Sequence, residues 1–387
     1  MEIIDRFFQA PKTSFFLFGP RGTGKSTFVH QHFKNAIYID LLDPDRVRLF
    51  SAMPERLREM IEAQPESGFI VIDEVQRVPE LLPVVHGLIE AKKGWKFVLT
   101  GSSARKLKRT GIDLLGGRAL LYTMHPFMAR ELGHHFNFDK AIHHGLLPVV
   151  VASEDPAEVL RSYAALYLRE EVQMEGLVRN IGHFSRFLEA ISFSHASILN
   201  VSNIARECEV ERKVVEGYVG ILEDILLGWR LPVFTKRAKR ELSVHPKFYL
   251  FDTGVFRSLR PKGPLDRVEE IEGQALEGLV AQHLKAWTAY SKGQVELFYW
   301  RTRSGAEVDF VVYGPEGLWA LEVKNARKIH TSDLRGLRSF MGEYPDSRAL
   351  FLYRGKERIV KEGILCLPCV EFIKELWPDR LLDQAFA

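Results

Sequence analysis

The chain has 387 residues, which is enough for two or three domains. Hydrophobic residues make up 46% and charged residues 27%, a balance that excludes a disordered chain and is typical of globular protein. The net charge of +3 indicates no general affinity for nucleic acid, although it leaves a local basic patch open.

A phosphate-binding loop is the first motif in chain order. The apolar run 15–18 predicts a strand, a glycine-rich run follows at once, and residues 27–33 have helical character. The run matches the Walker A pattern G-x-x-x-x-G-K-[ST], in which glycines bring backbone N–H groups close to phosphate oxygens. Lys25 would bind the β- and γ-phosphates, and the Ser26 hydroxyl would bind Mg²⁺. The predicted nucleotide-binding residues are Gly19, Pro20, Arg21, Gly22, Thr23, Gly24, Lys25, Ser26 and Thr27 together with Asp73.

A pair of carboxylates ends the next apolar run, 69–72. Continuous apolar runs suit the strands of a parallel sheet, and open α/β sheets bind ligands at the carboxyl ends of their strands. Asp73 would hold Mg²⁺ through water, as a Walker B residue, and Glu74 would polarise the attacking water as general base. Alone, the pair could be a helix cap. After a Walker A loop, it predicts ATP and Mg²⁺ as cofactors and ATP hydrolysis as the activity.

Two further candidates follow the third predicted strand, 96–100. Ser102, in preference to Ser103, would contact the γ-phosphate or the attacking water, and the alternative is a serine-rich turn that caps a helix. Arg118 or Arg105 would stabilise charge during phosphoryl transfer, in the same chain or from a neighbouring subunit. Arginines of this kind are often simply solvated.

The middle of the chain predicts helices followed by a winged helix. Ser202 is a suitable N-cap for a short helix, and the spacing after it is typical of a helix-turn-helix. The predicted elements are helices at 156–175, 183–193 and 211–224 and wing strands at 226–234 and 247–251.

Evidence that this segment binds DNA is mixed. The basic cluster 236–240 lies between the two wing strands, where it could contact phosphates. Glu209, however, stands at the turn position where glycine is usual, and the helix 211–224 carries more acidic than basic side chains, which is poor for reading bases. A winged helix can also serve as a packing module between domains.

The last third predicts a nuclease-like constellation. Glu277 falls on the margin of the apolar face of a helix at 273–290, and two strands of a hairpin carry Asp309 and the pair Glu322 and Lys324. Converging carboxylates suit a hard divalent cation, here a second Mg²⁺ or Mn²⁺, and Lys324 would orient or help deprotonate water. The predicted metal ligands are therefore Glu277, Asp309 and Glu322, and the predicted catalytic residues are Asp309, Glu322 and Lys324.

A cross-strand salt bridge on a half-exposed sheet is the alternative to that constellation. The apolar residues on both sides of Asp309 argue against it, because a carboxylate in such surroundings needs a partner or a metal ion.

The cysteines and the apolar runs bear on location. Three cysteines are too few for a disulfide framework, which favours a reducing compartment. Cys366 and Cys369 have the spacing of a redox motif but lie in an apolar run, which favours plain packing. No run of about 18 apolar residues predicts a membrane span, and the first residues lack the order of a secretory signal. We therefore expect a cytoplasmic protein with no membrane partner.

Nearly the whole chain resembles a family of bacterial and archaeal AAA-type ATPases. The resemblance rests on the motifs at 19–26, 72–76, 100–103, 116–118, 125–132, 246–254, 300–310 and 321–324. Members pair an N-terminal P-loop domain with a C-terminal domain of uncharacterised function whose core is nuclease-like, of the PD-(D/E)XK type. The resemblance implies ATP and Mg²⁺, and wider relatives often form rings or couple ATP to nucleic acid.

Together these patterns predict an α/β protein of three parts. They are an AAA-type P-loop domain with a parallel sheet between helices at 1–155, a helical and winged-helix part at 156–260, and an α/β nuclease-like domain at 261–387. We expect an ATPase coupled to a module that acts on or binds nucleic acid, DNA rather than RNA, with a homo-oligomer left open. The alternative is a nucleotide-controlled switch or adaptor that binds DNA or a protein without cleaving.

Overall fold

The computed structural model describes residues 4–64, 67–103, 107, 115–167, 181–236, 245–264, 266–291, 295–315, 317–378 and 380–386. Contacts divide the chain into two compact units. The N-terminal unit comprises Phe8–His125 with Asp224–Leu226, and the C-terminal unit comprises Met1–Phe7, Pro126–Glu223 and Leu227–Ala387. The three-part division at 155 and 260 stays a prediction.

A five-stranded parallel sheet forms the centre of the N-terminal unit, with the strand order β2-β3-β4-β1-β5. The three inner strands, Phe15–Phe18, Phe69–Asp73 and Lys96–Gly101, are largely buried because apolar side chains cover both of their faces, as in other parallel sheets. The elements are β1 (Phe15–Phe18), α1 (Lys25–His32), β2 (Ile37–Asp40), α2 (Pro44–Ala52), α3 (Arg56–Glu62), β3 (Phe69–Asp73), α4 (Leu81–Glu90), β4 (Lys96–Gly101) and β5 (Leu120–Thr123).

The strand register brings the predicted site to one edge of this sheet. Phe18 at the end of β1 lies opposite Gly101 at the end of β4, and Asp40 at the end of β2 lies opposite Asp73. The glycine-rich loop, the carboxylate pair and the serine pair therefore all follow neighbouring strands at the carboxyl edge. The mixed α/β class and an N-terminal parallel sheet typical of P-loop NTPases are confirmed.

The first part of the C-terminal unit is helical and ends in a small antiparallel sheet, ordered β6-β8-β7. The helix predicted at 156–175 is described as a short helix and a π-helical turn at 163–167, and its end lies outside the described residues. The elements are α5 (Ala129–Leu132), α6 (Phe138–His144), α7 (Pro148–Val151), α8 (Pro156–Ser162), α9 (Ile181–Ser192), β6 (Ser197–Ile198), α10 (Val201–Glu207), α11 (Arg212–Asp224), β7 (Gly228–Leu231) and β8 (Lys247–Leu250).

The turn before α11 carries a glutamate where a helix-turn-helix usually has glycine. Glu209 has φ 55°, in the left-handed region that glycine tolerates best. Of the basic cluster 236–240, Lys236 is described and forms an ion pair with Glu296, while the rest lies outside the described residues. The winged helix stays a prediction.

A six-stranded mixed sheet completes the C-terminal unit, with the order β13-β14-β12-β11-β10-β9. The predicted hairpin is antiparallel, and its pairing begins with Phe310 opposite Leu321, so Asp309 and Glu322 lie directly beyond the first pair. The elements are α12 (Thr253–Leu259), α13 (Val268–Tyr290), β9 (Glu296–Arg301), β10 (Glu307–Gly314), β11 (Gly317–Lys324), α14 (Arg335–Glu343), β12 (Arg348–Tyr353), β13 (Ile359–Lys361), β14 (Ile364–Pro368), α15 (Cys369–Glu375) and α16 (Leu382–Phe386).

Cys366 and Cys369 are buried free thiols, in the middle of β14 and at the start of α15. Burial raises the pKa of both thiols, which disfavours a reactive thiolate. No helix in the described part of the chain combines the length and apolarity needed to cross a lipid bilayer.

Candidate functional site

Glycines shape the loop between β1 and α1. Gly22 and Gly24 have φ 82° and 86°, and Gly24 is the N-cap residue of α1. A side chain on Gly19 could not fit, because its Cβ would lie 2.5 Å from the backbone oxygen of Met124. These three positions therefore explain why the loop needs glycine, and the loop leads into the helix N-terminus that attracts anions.

Lys25 folds back over this loop. Its Nζ donates to the backbone oxygens of Gly19 at 2.7 Å and Pro20 at 3.2 Å, and the residue is only 6% exposed. Thr23 Oγ1 donates to the same Pro20 oxygen at 2.8 Å. An arriving phosphate would have to draw the ammonium away from these carbonyls. Ser26 follows in the first turn of α1.

Two hydroxyl groups fix Asp73, which is 3% exposed. Tyr38 on β2 donates to its Oδ2 at 2.7 Å, and Thr100 on β4 donates to Oδ1. Burial raises the pKa of Tyr38, and the bond to Asp73 raises it further. The carboxylate keeps free lone pairs, so with the Ser26 hydroxyl it supplies the kind of oxygen ligands that Mg²⁺ prefers.

Glu74 is joined to Ser102 by a residue that the sequence reasoning missed. The side chain of Gln76 is 7% exposed, and its Nε2 donates both to Glu74 Oε2 and to Ser102 Oγ, the latter at 3.1 Å. Glu74 itself has φ 60°, a left-handed conformation that is costly for a residue with a side chain. The one available signal is the position of this glutamine, two residues after the carboxylate pair.

Arg118 lies at the other edge of the sheet. Its side chain donates to Glu90 at the end of α4 and to the Gly116 backbone oxygen. It lies two residues before β5, whose first residue pairs with the start of β1, so it stands at the amino edge. This corrects the expectation of a phosphate contact within the same chain, since the loop is at the carboxyl edge. A role in a neighbouring subunit stays a prediction, and Arg105 lies outside the described residues.

A lysine occupies the centre of the C-terminal carboxylate cluster, and it is Lys247 rather than Lys324. Lys247, the first residue of β8, is 2% exposed. Its Nζ lies 2.7 Å from Glu307 Oε1, 2.8 Å from Asp309 Oδ1 and 3.1 Å from Glu277 Oε1. Lys324 is exposed at the end of β11.

Glu322 completes this group of carboxylates. Its Oε2 is buried and has no hydrogen-bond partner among the described residues. Burial and the neighbouring Asp309 raise the pKa of Glu322 well above its usual range, and the same two causes raise the pKa of Glu277 to about 7. The raised pKa values favour protonated, neutral carboxyls at Glu277 and Glu322, so protons as well as Lys247 offset the negative charge of the cluster.

The predicted metal ligands do not form an open cation site in the arrangement seen here, and metal binding stays a prediction. Within the described ranges, no group of three or more His, Cys, Asp or Glu side chains is placed to hold a metal ion. Glu277 and Asp309 instead surround an ammonium at hydrogen-bond distances. A cation could take their oxygens only if that ammonium moved.

Comparison with family models divides the chain into three matches. Residues 11–133 match the model described as AAA domain. Residues 135–266 and 272–372 match two models described as domains of unknown function, DUF8612 and DUF4143. These last two matches assign no chemistry to the C-terminal unit.

The chain is also similar to proteins of two bacteria. It is 27% identical over 377 residues to an uncharacterized protein of Mycobacterium tuberculosis, covering 95% of this chain and 82% of the relative. It is 21% identical over 269 residues to an uncharacterized protein of Haemophilus influenzae, covering 62% and 67%.

Solved structures give weaker likenesses. The RuvB Holliday junction branch migration motor of Thermotoga maritima has a TM-score of 0.29 and 15% identity, covering 57% of this chain and 82% of that one. A STAND-type signal transduction ATPase of Pyrococcus horikoshii has a TM-score of 0.23 and 14% identity, covering 72% and 45%.

The sheet topology, the Walker A loop and the family match over residues 11–133 together define a class. The N-terminal unit is an AAA-type P-loop ATPase domain. ATP and Mg²⁺ are the ligands that this class of domain uses, and the residues at the carboxyl edge fit both of them.

Replacing Gln76 by alanine should lower kcat for ATP about 10-fold and leave KM nearly unchanged, because Glu74 would lose the amide that orients it. Steady-state phosphate release measures both constants. A double-mutant cycle with Ser102→Ala supplies the control, since residues in one hydrogen-bond chain are non-additive. Additive losses, or a change confined to KM, would show that Gln76 does not act through this chain.

Proposed function

We propose that this protein hydrolyses ATP and that its nucleotide state controls a nuclease-like C-terminal module acting on DNA. The observation that carries the first half is the hydrogen-bonded group at the carboxyl edge of the N-terminal sheet. There Thr100 holds Asp73, and Gln76 joins Glu74 to Ser102 beside the glycine-rich loop.

The proposed roles follow from this geometry. Lys25 leaves the loop carbonyls to bind the β- and γ-phosphates, while Ser26 and Asp73 hold Mg²⁺, directly and through water. Glu74 takes a proton from the attacking water as general base. Ser102 contacts the γ-phosphate, so the Gln76 amide links that contact to the base.

The second half of the proposal concerns the carboxylates of the C-terminal sheet. Asp309 and Glu322 come from paired strands and Glu277 from α13, in the manner of PD-(D/E)XK nucleases. The buried and unpartnered Oε2 of Glu322 supports a ligand here, since an orphaned acceptor of this kind is costly. A second Mg²⁺ or Mn²⁺ would stabilise charge on a phosphate, and Lys324 would orient water.

One observation favours a second candidate function, a nucleotide-controlled switch or adaptor that does not cleave. Lys247 already supplies a positive charge to Glu277, Glu307 and Asp309, so these carboxylates need no metal ion to remain buried. A module of this kind would bind DNA or a protein partner, and ATP would set its oligomeric or bound state.

A matched assay of ATP hydrolysis and nuclease activity tests both candidates. Wild type, Lys25→Ala, Asp309→Asn and Lys324→Ala would be compared on single- and double-stranded DNA and on RNA, with Mg²⁺ or Mn²⁺. We expect metal-dependent cleavage of DNA that both C-terminal variants lose while they keep ATP hydrolysis. Lys324→Ala is the milder variant because its side chain is exposed.

The outcomes separate the two candidates. Cleavage that survives both C-terminal substitutions would come from a contaminant and would end the nuclease proposal. ATP hydrolysis without cleavage, together with ATP-dependent oligomerisation, would establish the switch. A wild type without ATP hydrolysis under any of these conditions would contradict the first half.

A further inference from the structure

The ammonium of Lys247 is surrounded by carboxylates from two different elements. Glu277 comes from α13, and Glu307 and Asp309 come from β10, while Lys247 itself begins β8 of the small sheet. The contacts span 30 residues to Glu277 and 62 residues to Asp309. A buried ammonium remains charged only with such partners. Here the fold brings them together from distant parts of the chain.

Each of the three carboxylates is also held by a second donor. Tyr249 Oη donates to Glu277 Oε1 at 2.6 Å, and the Val323 backbone N–H donates to Asp309 Oδ2 at 2.9 Å. Arg301 Nη1 donates to Glu307 Oε2 at 2.9 Å. These bonds fix the direction in which the oxygens point, and they point at one position.

The distances identify what that position holds. Oxygens lie 2.7–3.1 Å from Lys247 Nζ, which is the length of a charge-assisted hydrogen bond. Mg²⁺ needs its oxygens at about 2.0–2.1 Å and Ca²⁺ at about 2.3–2.6 Å. Small inward movements of the carboxylates would satisfy a metal ion, but the ammonium and the ion could not share the position.

We propose that Lys247 is a built-in counter-ion that stands where a divalent cation would bind, so that the ammonium and the cation exclude each other. This inference rests on the proposed function, because it takes the carboxylates around Lys247 to be the proposed cation site. It makes cation binding depend on withdrawal of the β8 lysine, so that the small sheet would control access to the carboxylates.

The test is cation binding by the full-length Lys247→Met variant, measured by Mn²⁺ titration with electron paramagnetic resonance and without nucleotide. Methionine keeps most of the length of the side chain and removes its charge. We expect Mn²⁺ to bind at least 10-fold more tightly than in wild type, because three or four carboxylates lose their counter-ion. Melting temperature should be lowered in EDTA and recover in Mn²⁺.

Two variants control this experiment. Lys328→Met removes an exposed lysine four residues after the end of β11 and should gain no Mn²⁺ affinity. Lys247→Met/Asp309→Asn should lose the gain, because it removes a carboxylate that faces the position. If Lys247→Met does not fold even with Mn²⁺, Lys247→Met/Glu307→Gln removes one charge of each sign, and it is compared with Glu307→Gln alone.

Equal Mn²⁺ affinity in wild type and Lys247→Met would overturn the inference. So would equal Mn²⁺ affinity in Lys247→Met/Glu307→Gln and Glu307→Gln. The result is independent of cleavage. A gain in affinity without nuclease activity in any variant would uphold the counter-ion and end the nuclease proposal. Metal-dependent cleavage by wild type, with no gain of Mn²⁺ affinity in Lys247→Met, would uphold the nuclease proposal and overturn the counter-ion.

Discussion

Replacing Glu74 by glutamine is expected to lower ATP turnover by about 100- to 10,000-fold while ATP still binds. Glutamine has the same shape but cannot accept a proton from water, whereas Lys25 and the glycine-rich loop, which bind the phosphates, are unchanged. The bond from Gln76 Nε2 can be kept by the new side-chain oxygen. Phosphate release under saturating ATP gives the turnover, and titration with a fluorescent ATP analogue gives the affinity.

The matched control is Glu80→Gln, which changes an exposed glutamate six residues further along the same connection. It should hydrolyse ATP at the wild-type rate, because its side chain lies outside the hydrogen-bonded group. Normal steady-state turnover by purified Glu74→Gln would remove the assignment of Glu74 as general base. Loss of ATP binding together with turnover would instead give Glu74 a structural role.

Local sequence patterns were sufficient for the N-terminal site. The loop glycines, Lys25 and Asp73 all follow from short runs in which a strand, a turn and a helix lie next to one another in the chain. Parallel strands then bring such runs to one edge, so the carboxyl-edge cluster was predictable as well. Ser102 was placed there for the same reason, since it directly follows β4.

Gln76 was not predictable, because its importance comes from a contact with a residue 26 positions away. The predicted phosphate contact of Arg118 within its own chain was wrong for a related reason. The glycine-rich sequence before this arginine does not show at which edge of the sheet it lies, because the pairing of β5 with β1 decides the edge. Strand order is a tertiary property that the local pattern does not contain.

The C-terminal cluster shows the same division. Alternation along β10 and β11 predicted that Asp309 and Glu322 share a face, and the strand register supports this. The pattern favoured Lys324 as the cation because it lies two residues from Glu322 on the same strand. The structure places Lys247 there instead, from a strand 62 residues earlier than Asp309. Local spacing cannot identify a partner at that separation.

Replacing Lys25 by alanine is expected to weaken ATP binding by about 10- to 100-fold, since a hydrogen bond to a charged group contributes about 1.5–3 kcal/mol. In the structure the ammonium is held at 2.7 Å by the Gly19 oxygen, so it is already positioned beside the phosphate loop. Titration with a fluorescent ATP analogue in the presence of Mg²⁺ measures the loss. Melting temperature should rise with ATP and Mg²⁺ in wild type but not in the variant.

Lys34→Ala is the control for this variant, because Lys34 is an exposed lysine just after α1 and should bind ATP normally. The melting temperature of Lys25→Ala without nucleotide is measured as well, and a value close to that of wild type shows that the substitution acts on ATP binding rather than on folding. Wild-type affinity in Lys25→Ala would mean that the ammonium stays on those carbonyls when ATP binds. Phosphate recognition would then depend on the backbone N–H groups of the loop and the N-terminus of α1 alone.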